Sequence, residues 1–228
     1  MEAAFAVPGA IDLAWDLVRE PTRPPRLLVN APKTKPLATP QAVPGDDGDV
    51  LEALAVGDRR RALTVLMRRY GDAVYRFCRE LIRDEAIADD VHQQVFVEAY
   101  RDLATFQGKS QLRTWLFGIA RHRCLDAAKT GRRWQSRYKN DAPVELPDEA
   151  PAANDEIDLR RMVVVLEECL AELSPSARAA VLLRYRENLS YEEMAAISGE
   201  KAGTLQQRVA RSMPILRRCL ERKLGGDS

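Results

Sequence analysis

Ser190-Tyr-Glu-Glu-Met-Ala-Ala-Ile-Ser-Gly199, followed by Gly203-Thr-Leu-Gln-Gln-Arg-Val-Ala-Arg211, is the most diagnostic stretch of this 228-residue chain. Ser190 and Glu193 stand three apart, the spacing of a capping box in which each side chain satisfies the other's free backbone donor. That spacing predicts a short helix over Tyr191–Ser198, with Gly199 turning the chain and a second helix starting near Thr204. A short helix, a glycine turn and an arginine-bearing helix together predict a helix-turn-helix. Ala195 is small where the helices would cross, and Ile197, Leu205 and Val209 are expected inside. Lys201, Thr204, Gln206, Gln207, Arg208 and Arg211 are left facing outward. Gln matches adenine edges, and Arg matches guanine or phosphate. A plain three-helix bundle would share the apolar spacing. The outward set is what favours DNA.

Moving upstream, Arg160–Leu173 has Val163, Leu166, Leu170 and Leu173 at helical spacing. Ser174-Pro175 is a cap followed by proline at the first helical position. Asn188 is placed to end that helix in the left-handed conformation. Before this module, Asn140–Asp158 carries seven acids and no base. With Pro143, Pro147 and Pro151 it reads as an extended, self-repelling tether. A basic helix precedes the tether. Leu112, Trp115, Leu116, Ile119 and Ala120 start it, and Arg121–Lys139 holds seven Lys/Arg against one acid. Lys201–Lys223 repeats that ratio. Two cationic blocks around an acidic spacer point to polyanion surfaces, although the net charge of +1 conceals them.

The chain divides into four parts. Residues 1–48 hold eight of the thirteen prolines, which excludes long helices there. A short amphipathic helix over Ala10–Glu20, carrying Trp15, is the exception. Residues 49–138 read as a helical domain, with Val50, Leu51, Leu54, Leu63, Leu66, Met67 and Tyr70 outlining its first apolar face. Ile87, Val91, Val95, Phe96, Ala99, Tyr100 and Leu103 form the clearest amphipathic helix. Residues 139–157 are the acidic linker and 158–224 the helix-turn-helix domain. The expected fold class is all-α: two small helical domains joined by a flexible acidic linker.

Other function classes find little support. Cys78, Cys124, Cys169 and Cys219 are scattered without a Cys-x-x-Cys pair, and only His92 and His122 could join them. A zinc or disulfide framework is not expected, nor any metal or cofactor, and the pattern fits a reducing cytoplasm. No apolar run approaches a membrane span, and the start lacks the features of a signal peptide. Asp89/Asp90 and Glu192/Glu193 have no adjacent nucleophile, metal set or phosphate loop, so no catalytic residues are expected and the chain is not read as an enzyme.

Three motifs carry a family resemblance. Ala88-Asp-Asp-Val-His-Gln-Gln-Val-Phe96 is similar to the polymerase-core-binding helix of bacterial sigma-70 family factors. Phe106–Asp126, with Gly108, Ser110, Thr114-Trp115-Leu116 and Ile119-Ala120-Arg121, resembles their −10 segment. Leu189-Ser-Tyr-Glu-Glu-Met-Ala195 with Gly203-Thr204-Leu205 and Arg208 resembles their −35 domain. Order and spacing identify the chain, over roughly residues 50–224, as a member of the extracytoplasmic-function group. The two domains then correspond to a region 2-like bundle and a region 4-like helix-turn-helix.

The resemblance implies core RNA polymerase and promoter DNA as partners, with an anti-sigma factor masking the DNA faces, and no membrane insertion of this chain. Asp89, Asp90, Gln93 and Phe96 would meet the polymerase. Gln107, Lys109, Ser110, Arg113, Arg121, His122, Arg123, Lys129, Arg132 and Arg133 would serve the −10 element. Lys201, Thr204, Gln206, Gln207, Arg208 and Arg211 would serve the −35 element. A polar loop at Gln107–Gln111 can hydrogen bond a base that has left the stack, which offsets an unstacking cost of a few kcal/mol. Trp115 shares a face with Ile119 and is expected in the core, whereas Trp134 is the more exposed aromatic. The chain departs from the family at His122, commonly Asn, and at Gln206-Gln207, commonly Lys-Ser. Pro214 is expected to kink or end the last helix. Two other readings are an autonomous helix-turn-helix regulator, which would bind operator DNA unaided, and a helical interaction adaptor, whose binding would ignore salt.

Overall fold

The structure, a computed structural model, describes residues 47–137 and 155–224, with side chains over 47–130 and 161–224. The Ala10–Glu20 helix and Trp15 lie outside the described residues, as does most of the tether. Among the described residues there are helices and no strand.

The N-terminal lobe contains α1 (Gly48–Ala55), α2 (Arg59–Ile82), α3 (Glu85–Asp102) and α4 (Leu112–Arg137). Its boundaries follow from local chemistry. Asp58 caps α2 by accepting from Arg61 N at 2.9 Å, and Asp84 caps α3 by accepting from Ile87 N at 3.0 Å. Arg83, at φ 65°, makes the left-handed break between them. Asp47 and Asp49 both accept from Arg69, and Tyr70 Oη donates to Asp47 at 2.9 Å, which fastens α1 onto α2. Burial and that hydrogen bond push the Tyr70 hydroxyl up to about 12. Leu66, Val74, Phe77 and Leu81 of α2 meet Val91 and Val95 of α3 and Leu116 and Phe117 of α4 in the core. Phe77 and Phe117 pack edge to face at 5.6 Å. Leu51 and Met67, expected on the first apolar face, are exposed instead. Leu63, Leu66, Tyr70 and Val74 take the inward positions, and Met67 falls one residue off that stripe.

The C-terminal lobe contains α5 (Asp155–Ala171), α6 (Pro175–Val181, continuing through a wider π turn over Leu182–Arg186), α7 (Tyr191–Ser198) and α8 (Ala202–Leu224). Ser174 caps α6 with Pro175 at the first position, and Asn188 takes φ 52° as expected. Both halves of the Ser190–Glu193 capping box are present, and Gly199 ends α7 at φ 70°. Helix α5 begins at Asp155, within the stretch expected to be tether. Pro214 does not end α8, which runs unbroken to Leu224. Leu216, Cys219 and Leu220, beyond the proline, are buried against the lobe. Burying side chains of this size at roughly 1.5–3 kcal/mol each outweighs a proline penalty of about 3 kcal/mol.

Cysteines far apart in sequence meet in pairs. Cys169 on α5 and Cys219 on α8 form a disulfide with Cα atoms 5.6 Å apart, and the buried Cys78 and Cys124 place their sulfurs 3.4 Å apart. The expectation of no disulfide fails because helix packing sets these pairs, and linear spacing does not reveal it.

The lobes pack on each other, α4 against α6 and α7 and α2 against α6, and their buried residues form one continuous core. Arg178 on α6 is central. Its Nε donates to Leu170 O at 2.8 Å and its Nη2 to Ala171 O at 2.9 Å, at the end of α5. Its Nη1 donates to Leu81 O at 3.1 Å, at the end of α2. One guanidinium thus satisfies terminal carbonyls of helices from both lobes, groups that helix geometry leaves without partners. Nearby, Arg186 pairs with Glu80.

Candidate nucleic-acid interface

Helix α4 and the loop before it hold the residues expected at the −10 element. Gln107 and Lys109 are exposed around Gly108, whose φ of 67° suits glycine. Trp115 is half-buried and packs on Phe106 with ring centroids 5.3 Å apart, in line with a core role. His122 and Lys129 are exposed and flank Asp126, at 3.5 and 3.1 Å. Hydrogen bonding from Lys129, with His122 close by, holds the Asp126 carboxyl below its usual range. Arg123 pairs with Glu98 of α3. The side chains of Arg132, Arg133 and Trp134 lie outside the described residues.

Two of the expected DNA residues turn toward the other lobe. Arg113 donates through Nη1 to Glu187 O at 2.5 Å and through Nη2 to Glu187 Oε2 at 2.6 Å. Arg121 donates to Glu200 Oε1 at 2.9 Å. Thr114, between them, is buried and donates to Glu193 Oε1 at 3.1 Å. Two carboxylates of this seam shift in opposite directions. The Arg208 hydrogen bond holds Glu200 below its usual value, whereas burial pushes Glu187 up.

Lys201, just before α8, and Thr204, Gln206, Gln207 and Arg211 on it are exposed, and Leu205 and Val209 are buried, as the periodicity requires. Arg208 differs. Its Nη1 donates to Glu200 Oε1 at 2.9 Å, so Glu200 is shared with Arg121 of the opposite lobe. Ile197, expected inside the helix-turn-helix, faces the other lobe. A Cβ added at Gly118 would stand 3.1 Å from Ile197 Cβ.

The expected polymerase face lies on α3. Asp90 and Gln93 are exposed. Asp89 is half-buried and hydrogen bonds the Tyr75 hydroxyl, which raises the pKa of that tyrosine. Phe96 is 4% exposed and packs edge-on against His92 at 5.1 Å. It supports the face from beneath and cannot touch a partner itself. A groove between α3 and α4 is lined by Ile87, Asp90, Val91, Gln94, Arg123 and Asp126. Sequence reasoning does not single out Ile87 and Gln94 for this face. Gln94 lies four residues after Asp90, a spacing that could have placed it there.

Among the described residues, no cluster of three or more His, Cys, Asp or Glu could hold a metal, and no helix is long and apolar enough to cross a membrane. The geometry defines a two-lobed helical protein with a cationic helix in each lobe, one of them in a helix-turn-helix.

Comparison with known proteins places the chain more closely. The sigma-70 region 2 family model matches residues 66–134, and the sigma-70 region 4 model matches residues 164–213. The Mycobacterium tuberculosis extracytoplasmic-function sigma factor SigC is 32% identical over 173 residues, covering 75% of this chain and 91% of that protein. The Escherichia coli sigma-E factor is 29% identical, covering 75% and 97%. Among solved structures, the sigma factor RpoE of Bartonella quintana, in complex with the anti-sigma factor NepR, superposes with a TM-score of 0.53 at 25% identity, over 72% of this chain and 98% of that one. CnrH, in complex with the cytosolic domain of CnrY, gives 0.54 at 25% identity, over 80% and 100%. The chain belongs to the sigma-70 family of RNA polymerase sigma factors, in its extracytoplasmic-function group.

Proposed function

We propose that this chain binds core RNA polymerase in the cytoplasm and directs it to promoters through −10 and −35 contacts, performing no chemistry itself. The carrying observation is the pairing of two region-specific matches with two cationic helices, α4 and α8, on separate lobes of one chain.

The α3–α4 groove with Asp90 and Gln94, together with the exposed Gln93 of the same helix, is the polymerase dock: polar side chains around an apolar floor of Ile87 and Val91 suit a protein partner. The Gln107–Ser110 loop receives an unstacked base while the α4 cations hold phosphates. Gln206 and Gln207 read base edges of the −35 duplex, with Lys201, Thr204 and Arg211 on its backbone. Structural relatives in complex with an anti-sigma factor and with the cytosolic domain of CnrY support a protein inhibitor as a further partner.

Retention on immobilised core polymerase tests this reading. The full chain should be retained, and Asp90→Lys should weaken retention by about ten-fold or more, as expected for a charge reversal at the edge of a dock. Passage of the wild-type chain straight through the column would contradict the proposal.

A further inference from the structure

Both cationic helices carry a cysteine that faces a cysteine on the helix behind. Cys219 of α8 is bonded to Cys169 of α5. Cys124 of α4 donates its S–H to Cys78 of α2, with the two sulfurs 3.4 Å apart and unbonded. The chain has four cysteines, and these two cross-helix pairs account for all of them. Thiols placed only to fill apolar space have no need to meet.

We propose that Cys78 and Cys124 are an oxidation site: a small uncharged oxidant of the hydrogen peroxide class converts the pair to a second disulfide, which ties α4 to α2 inside the N-terminal lobe. The chemistry does not rest on the sigma-factor reading. Only its placement beside the −10 residues of α4 does.

The geometry is close to that of the product. Bonded sulfurs stand about 2.0 Å apart, so each must move by roughly 0.7 Å, which a small turn about each Cα–Cβ bond supplies. The backbones are already held together nearby. Phe77, next to Cys78, packs on Phe117, about two helical turns before Cys124. In the reaction one sulfur loses its proton and attacks a peroxide oxygen. The O–O bond breaks, a sulfenic acid forms, and the departing hydroxide takes the proton as water. The second sulfur then attacks the first, the S–S bond forms, and the sulfenic hydroxyl leaves with the second thiol proton as another water. The pair gives up two electrons, and one hydrogen peroxide becomes two waters.

Burial sets the selectivity. Cys78 and Cys124 are both 0% exposed, which shuts out a charged oxidant the size of glutathione disulfide. The hydrogen bond to Cys78, together with burial, holds the Cys124 thiol well above its usual range. Little thiolate is then present at neutral pH, and the thiolate is the form that reacts. The pair therefore oxidises slowly, under sustained peroxide.

The test uses the full chain without polymerase. Folded wild type and Cys78→Ala are held in excess hydrogen peroxide, denatured without reductant, alkylated and mapped by mass spectrometry. Conversion of the exposed Met67 to its sulfoxide shows that the oxidant has acted. The wild type should give a linked Cys78–Cys124 peptide pair, with neither residue alkylated, and dithiothreitol should break it. Cys78→Ala should give no link. The link spans a sequence separation of 46, so peroxide should raise the wild-type melting temperature by roughly 10 °C relative to Cys78→Ala treated alike. Glutathione disulfide should leave both thiols free. Oxidised Met67 with Cys78 and Cys124 still alkylated, sulfinic acid in place of the link, a link without the rise in melting, or an equal link from glutathione disulfide would each overturn the proposal. Should Cys78→Ala fail to fold, Cys124→Ala takes its place, and the wild-type peptide map decides alone if neither folds. None of these readouts contains core enzyme, so failure of polymerase retention and failure of the dithiol are told apart.

Discussion

Arg178 shows how much one side chain can organise. Its guanidinium joins the carbonyl ends of α5 and α2, 97 residues apart in sequence for the Leu81 bond. Truncation would leave several buried carbonyls without donors, each a costly loss in a dry interior. Arg178→Ala should therefore destabilise the chain by roughly 3 kcal/mol in urea unfolding, with Arg178→Lys recovering little because an ammonium cannot reproduce the planar fork. A loss under about 1 kcal/mol, as for an ordinary surface change, would contradict the role assigned to it. Nothing in the local sequence distinguishes Arg178 from the exposed arginines. Its partners come from two other helices, so no periodic pattern announces them.

At the scale of elements, features that rest on short-range chemistry are legible in the sequence. The Ser190 box, the Ser174-Pro175 start, the Asn188 break and the Gly199 turn all need only residues within four positions, and all are present. The exposed α8 set follows from helical period once those ends are placed. Pro214 goes the other way because burial of the following turn overrides the local penalty. Periodicity assigns Arg121 and Arg208 to DNA and Ile197 to the inside of one module. Arg121 and Ile197 face the opposite lobe, and Arg208 pairs with Glu200 of its own lobe, which a pattern read one helix at a time cannot register. Phe96 lies on the apolar stripe of its helix, so the core takes it and the polymerase face loses it. The α5–α8 disulfide closes a loop with a sequence separation of 50 and, on the chain-entropy account, should contribute about 4 kcal/mol. Thermal melts should accordingly fall on addition of reductant, and Cys169→Ser should melt at the reduced midpoint under both conditions. If reductant leaves the wild-type melt unmoved while Cys169→Ser melts alike, the two sulfurs are not joined.

For the whole molecule, the two lobes meet both through one continuous buried core and through charged pairs such as Arg113–Glu187 and Arg121–Glu200. The parts then divide the work. On the proposed reading, the α3–α4 groove would hold the polymerase, the α4 side the opened strand, and α8 the upstream duplex. The most direct measurement is run-off transcription by purified core enzyme on fragmented genomic DNA, with and without the chain, mapping transcript starts. The account predicts new starts that share a −35 and a −10 sequence and vanish on charge reversal at Arg211 or at Lys109. A set of transcripts that the chain leaves unchanged, with core enzyme shown to be active, would contradict it.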